Sequence, residues 1–172
     1  FSINGSDHWY SLPAHRVRAI NNGLAQQTFL PGWLRAVGPG WISWGVESFL
    51  DEIAHQQGQD PVALRLGLLD GVGKNAGGEG STAGGAKRLA AVLKDVSERA
   101  GWGRDLPTNE GLGVAVGHGQ ERGMPTWIAC LAHVSVEPSS GDVTLKKLWQ
   151  TIDVGTVVNP DGAMAQAEGA AL

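Results

Sequence analysis

The residues best placed for chemistry form one run near the end of the sequence. It reads Asp153-Val-Gly-x-x-x-Asn159-Pro160, followed by Gln166-x-Glu168-Gly169-Ala170. A strand ending at Asp153 hands the chain to a helix that Asn159 caps and Pro160 starts. The free N–H groups and dipole of such a helix N-terminus favour an anionic ligand. Two turns in, Gln166 offers a neutral amide that donates and accepts without titrating. The same run also reads as an ordinary capped helix with a polar residue on it, and local pattern alone favours that plainer reading.

Other candidates carry less. The segment Gly111-Leu-Gly-Val-Ala-Val-Gly117 lacks the Gly-x-Gly-x-x-Gly order and alternates like a strand, which argues against a dinucleotide turn. Gly77-Gly-Glu-Gly80 reads as linker rather than phosphate cradle. His8, His15, His55, His118 and His133 form no His-x-x-x-His pair and none adjoins a cysteine, so a protein-ligated zinc or iron site has little support. His55 lies one turn after Asp51, the spacing of a solvated pair. His133 is expected at a surface or edge. Glu47, Asp51 and Glu52 could do acid–base work, but on a surface helix they are the wet face. Ser48 has no Gly-x-Ser-x-Gly context. Cys130, the single cysteine, excludes an internal disulfide and reads as a small core residue. No catalytic residue and no metal ligand is assigned.

Hydrophobic periodicity supplies the elements that must position these residues. A short strand is predicted over 15–20. A first helix is predicted over 41–57, with Ile42, Val46, Phe49, Leu50 and Ile53 inward and Gly58 at its end. Asp60 and Pro61 start a second helix whose Leu64, Leu66, Leu68 and Leu69 make it apolar on more than one side. Residues 71–85 carry Gly-Gly twice and predict a flexible linker that is exposed and readily cut by proteases. A third helix over 86–100 shows the stripe Leu89, Val92, Leu93, Val96, with Gly101 after it and Trp102 folding back. The period then changes to two. Leu112, Val114 and Val116 alternate in one strand, and Ile128, Cys130, Ala132, Val134 and Val136 in the next. Val143, Leu145 and Trp149 share a face of the third, and Lys146 and Lys147 place charge on both faces. A last helix follows Pro160. The order predicts an α+β fold, helices plus an antiparallel β-meander.

The chain has 172 residues, 26 of them glycine, and a net charge of -4 with both signs scattered. No basic stripe suggests nucleic acid, and no apolar run is long enough to span a bilayer. The sequence opens on Phe1 without a signal-peptide pattern and stops at Leu172 within a helical pattern. It therefore reads as an internal piece of a longer chain, with its compartment left open.

The run from Asp153 to Ala170 resembles, with unbroken spacing, the segment of xanthine dehydrogenases and aldehyde oxidases that runs into the molybdopterin. Leu34-Arg35-Ala36-Val37-Gly38-Pro39-Gly40 is similar to the family's Phe-Arg-Gly-Phe-Gly segment. The stretch Val46 to Ala54, then Asp60-Pro61 and Arg65, resembles the helix pair that follows it. The resemblance covers nearly all of residues 30–172, and its nearest subgroup is the isoquinoline 1-oxidoreductase β-subunit. It implies parts of two molybdenum-cofactor-binding domains: residues 1–71 the end of the first, 72–85 a Gly-rich linker, and 86–172 the start of the second. It implies a molybdenum–molybdopterin cofactor in dinucleotide form, contacted by Arg35 and Gln166. It further implies hydroxylation of an N-heterocycle or aldehyde with water as oxygen source, and a small ferredoxin-like partner subunit carrying 2Fe-2S clusters. Ala36 and Val37 depart from the family's Gly-Phe. The family's glutamate base, in a Gly-x-Gly-Glu motif, is not in this sequence, so the chain is expected to be inactive alone. The contrasting reading is a non-enzymatic α+β binding module.

Overall fold

The computed structural model describes residues 6, 8–29, 32, 36–71, 85–119 and 126–171. Among them the elements run α1 (Gly23–Thr28), α2 (Val37–Gln57), α3 (Pro61–Leu68), α4 (Gly85–Ala100), β1 (Glu110–Gly119), β2 (Thr126–Val136), β3 (Val143–Asp153) and α5 (Pro160–Ala171). The fold is α+β, five helices and one antiparallel sheet in the order β1-β2-β3. The linker expected over 72–85 lies almost wholly outside the described residues.

Caps set the helix ends much as the residue types require. The Asp60 carboxylate accepts from Ala63 N at 2.7 Å, with Pro61 in the first turn. Gly58 closes α2. The α4 stripe is buried as expected, with Leu93 and Val96 fully so. Trp102 folds back, its N–H reaching Ser97 O at 2.9 Å and its indole Nε1 donating to Asp60 at 2.6 Å.

Four expectations are corrected. Residues 15–20 are not a strand: they are exposed and outside the sheet, and Asn22 instead caps α1. Phe49, expected inward, is 60% exposed, because α2 turns Glu47, Leu50 and Ala54 to the core instead. On β2 the buried face is Trp127, Ala129 and Leu131, while Ile128, Cys130, Ala132 and Val134 are only half-buried. Both sets alternate and both are largely apolar, but α4 packs where the large Trp127 ring is. Finally, β3 does not carry Leu145 and Trp149 on one face. A bulge between His133 and Val134 pairs them with Lys147 and Leu145, leaving Lys146 over. Trp149 therefore opposes Leu131 on the buried face, and Leu145 opposes Val134 on the other.

One core joins both sides of the expected domain boundary. Trp9, Tyr10, Leu50 and Val62 from before it cluster with Leu89, Leu93, Val116 and Leu131 from after it. Gly85 is part of this junction. A Cβ there would stand 2.3 Å from the Trp9 ring, so only glycine lets α4 start against that indole.

Candidate functional site

The strongest sequence motif lies where β3 leaves the sheet. Asp153 is its last residue. From α4, Arg88 donates Nε to Asp153 Oδ2 at 2.6 Å and pairs its second nitrogen with Oδ1, a two-pronged contact. The Arg88 guanidinium lies over the Trp127 ring, 3.9 Å from its centre. Asp153 also accepts from Gly155 N at 3.0 Å, and Gly155 has φ +73, which glycine adopts without strain. The Arg88 hydrogen bonds, outweighing partial burial, hold the Asp153 carboxyl below the usual carboxylate range.

Beyond this turn, Asn159 caps α5. Its side-chain oxygen accepts from Gly162 N at 3.0 Å. A Cβ on Gly162 would come within 2.9 Å of the Asn159 amide, so the first turn is shaped around that cap. None of the α5 residues is buried, and Gln166 is exposed on it. Among the described residues no hydrogen bond engages the Gln166 side chain. The helix thus presents a neutral amide and, in its first turn, the Asp161 N–H, since Pro160 has none and the Gly162 and Ala163 amides go to Asn159. That donor set fits one wall of a site for a large anionic cofactor. Arg35 lies outside the described residues. Its neighbours Ala36 and Val37 have φ 74 and 49, a left-handed backbone that costs a non-glycine residue energy, most of all a β-branched one.

Of the α2 carboxylates expected on the wet face, Asp51 and Glu52 are exposed but Glu47 is not. Glu47 is buried and meets the fully buried Arg65 at 2.8 Å. Its oxygens also accept from Tyr10 OH at 2.8 Å and Val116 N at 3.0 Å. Arg65 reaches Asp51 at 2.8 Å, and the carbonyls of Glu47 and Pro61. Burial works against the charge on Arg65, but the Glu47 carboxylate outweighs it and the guanidinium is held above the ordinary arginine range. Burial, then Glu47, pushes the Tyr10 phenol far up. This node joins the N-terminal segment, α2, α3 and β1. Sequence reasoning missed it because Glu47 and Arg65 stand on different helices. The one available signal was an arginine within the apolar α3.

His133 bonds Glu110 at 2.7 Å, and Lys146 takes the other Glu110 oxygen at 2.7 Å. Cys130 sits half-buried on the outer sheet face rather than in the core, and burial raises its thiol pKa. Among the described residues no group of three or more His, Cys, Asp or Glu could hold a metal ion.

Residues 84–172 match the model of the molybdopterin cofactor-binding domain. The chain belongs to that family. It is 56% identical over its whole length to the "Membrane-bound aldehyde dehydrogenase [pyrroloquinoline-quinone]" of Gluconacetobacter polyoxogenes, covering 22% of that protein. It is 27% identical over 93% of its length to the isoquinoline 1-oxidoreductase β-subunit of Brevundimonas diminuta, covering 18% of it. It is 29% identical over 80% of its length to a nicotinate dehydrogenase subunit of Pseudomonas putida, covering 11%. The chain thus spans about a fifth or less of the curated relatives it matches. The isoquinoline subgroup, expected to be nearest, stands well behind the aldehyde dehydrogenase. Among the described residues no helix is long and apolar enough to cross a membrane.

Proposed function

We propose that this chain forms part of the molybdopterin-binding region of an aldehyde-oxidising enzyme. The observation that carries the reading is the Asn159-capped helix with its exposed Gln166, inside the family-matched stretch. The relative at 56% identity, named for aldehydes, supports aldehyde over N-heterocycle as substrate. The cofactor, in dinucleotide form, supplies two-electron oxidation chemistry with water as the oxygen source. The chain's own residues hold and orient it. The first turn of α5 offers the Asp161 N–H, Gln166 places an uncharged amide two turns in, and Arg35 would add a permanently charged fork. Electrons leave through a small 2Fe-2S partner subunit. Residues 1–71 belong to the end of one cofactor-binding domain and 86–172 to the start of the next, packed on a shared core. Alone, the chain turns over no aldehyde, because the family's glutamate base is not among its residues.

The name of the same relative favours a second cofactor, pyrroloquinoline quinone. The test is made on the native polypeptide that carries this segment, captured by an antibody raised against the chain. Molybdenum is measured by mass spectrometry, oxidised pterin by fluorescence and the quinone by chromatography. Stoichiometric molybdenum and pterin, with aldehyde-dependent dye reduction, is the expected result. The quinone without molybdenum overturns the reading. A Gln166→Ala variant is expected to retain less cofactor, and full retention removes Gln166 from the site.

A further inference from the structure

We infer that Arg88 is a positioning residue for the loop that delivers the Asn159–Gln166 unit. The inference rests on the cofactor reading above for its purpose, but its geometry is independent of it. Three observations converge on one guanidinium. The group lies over Trp127, a fully buried ring on the middle strand, 3.9 Å from the ring centre. That contact holds the guanidinium against the core beside its partner. The fork then engages both Asp153 oxygens, and the oxygen shared with Arg88 also accepts Gly155 N at 3.0 Å.

The direction in which residues 154–159 leave the sheet is thereby set from α4 and not by the loop itself. The loop has little else to set it: residues 154–160 are all exposed. Nor does α5, with no buried residue, anchor the far end. A second tie, Thr151 Oγ1 to Asp95 at 2.6 Å, fixes β3 to α4 two residues earlier. Asp153 is therefore the last point on the path to α5 at which the core holds the chain. Arg88 touches no reacting atom in this arrangement. It acts through Asp153, and Asp153 through the Gly155 amide.

Amide exchange followed by NMR on the full 172-residue chain tests this without any cofactor. In Arg88→Ala, the Gly155 amide, the one hydrogen-bonded to Asp153, exchanges about tenfold faster. The amides of Val114, Val116 and Leu131 keep their protection. Arg88→Lys retains the charge but loses the planar fork, and restores part of the loop protection. Asp153→Asn reproduces Arg88→Ala, and the double variant adds nothing to either. Unchanged exchange at Gly155 overturns the proposal. So does equal loss in the loop and in β1–β2, which would make Arg88 a stabiliser of the whole sheet. If Arg88→Ala does not fold, the Lys and Asn variants carry the same comparison. A native polypeptide lacking molybdenum would overturn the cofactor reading and leave the exchange result standing.

Discussion

Arg65 is a charge with no exposed surface, and what keeps it charged is a short set of named partners. Removing one member of a buried pair strands the other, at a cost of about 3–5 kcal/mol. Arg65→Met is expected to lose that much in urea unfolding. Adding Glu47→Leu to it should cost less than Glu47→Leu alone, since the two act as one unit. Additive losses would show that the pair is not coupled. Ala36 makes an opposite prediction. Its φ of 74 is a conformation glycine takes freely, so Ala36→Gly should raise stability by about 1 kcal/mol, read as a higher Tm. Asp153 gives the pH dependence. Its folded pKa is depressed below the ordinary 3.8, so its contribution is complete above that value. It is lost as pH falls below 3.8 through the folded value. Near-ultraviolet circular dichroism from Trp127 should change in that acid range, and in Asp153→Asn the change should be absent. Little of this was legible beforehand. The Asp153-to-Asn159 spacing showed a turn and a cap, because those are local. The partners Arg88 and Arg65 lie 65 and 18 residues from the groups they hold, and no pattern in one strand or helix names them.

The elements were more legible than their faces. Asp60, Pro61 and Gly58 mark helix ends by their own backbone chemistry, and the α4 stripe has one apolar side, so both could be read directly. On β2 the odd and even positions are both apolar, and only the docking of α4 decides which is core. The β3 bulge was invisible for a related reason: nothing in Lys146 or Lys147 announces an extra residue. Its geometry nonetheless makes a prediction. Lys146 lies between Leu145, paired with Val134, and Lys147, paired with His133. Deleting Lys146 should leave every other pair and every inward residue in place, with loss of its contact to Glu110. Deleting Leu148 should send Trp149 or its neighbours to the wrong face. Thermal melts should show the first variant folded with a lower Tm and the second unfolded. Two similar melts would mean that the bulge does not set the strand's phase.

At the scale of the whole molecule, the family match covers residues 84–172, yet the core of that stretch is closed by residues from before it. Trp9 lies against Gly85, Tyr10 and Glu47 reach β1, and Leu50 and Val62 complete the cluster. The two parts are then held to one another by this shared core. Two separate polypeptides, 1–71 and 85–172, should find one another when co-expressed and purify as a one-to-one complex through a tag on either. Each alone should collect in the insoluble fraction, since each would bare half of a shared core. Recovery of 85–172 as a folded monomer would show instead that the second piece needs no helper. Arg65→Met should weaken the pairing of the pieces, because Arg65 holds Glu47, which accepts Val116 N from the other piece. The Glu47 carboxylate, held by Arg65 and reaching Val116 in the other piece, would then serve as one clasp of a split protein, read as a change in the dissociation constant.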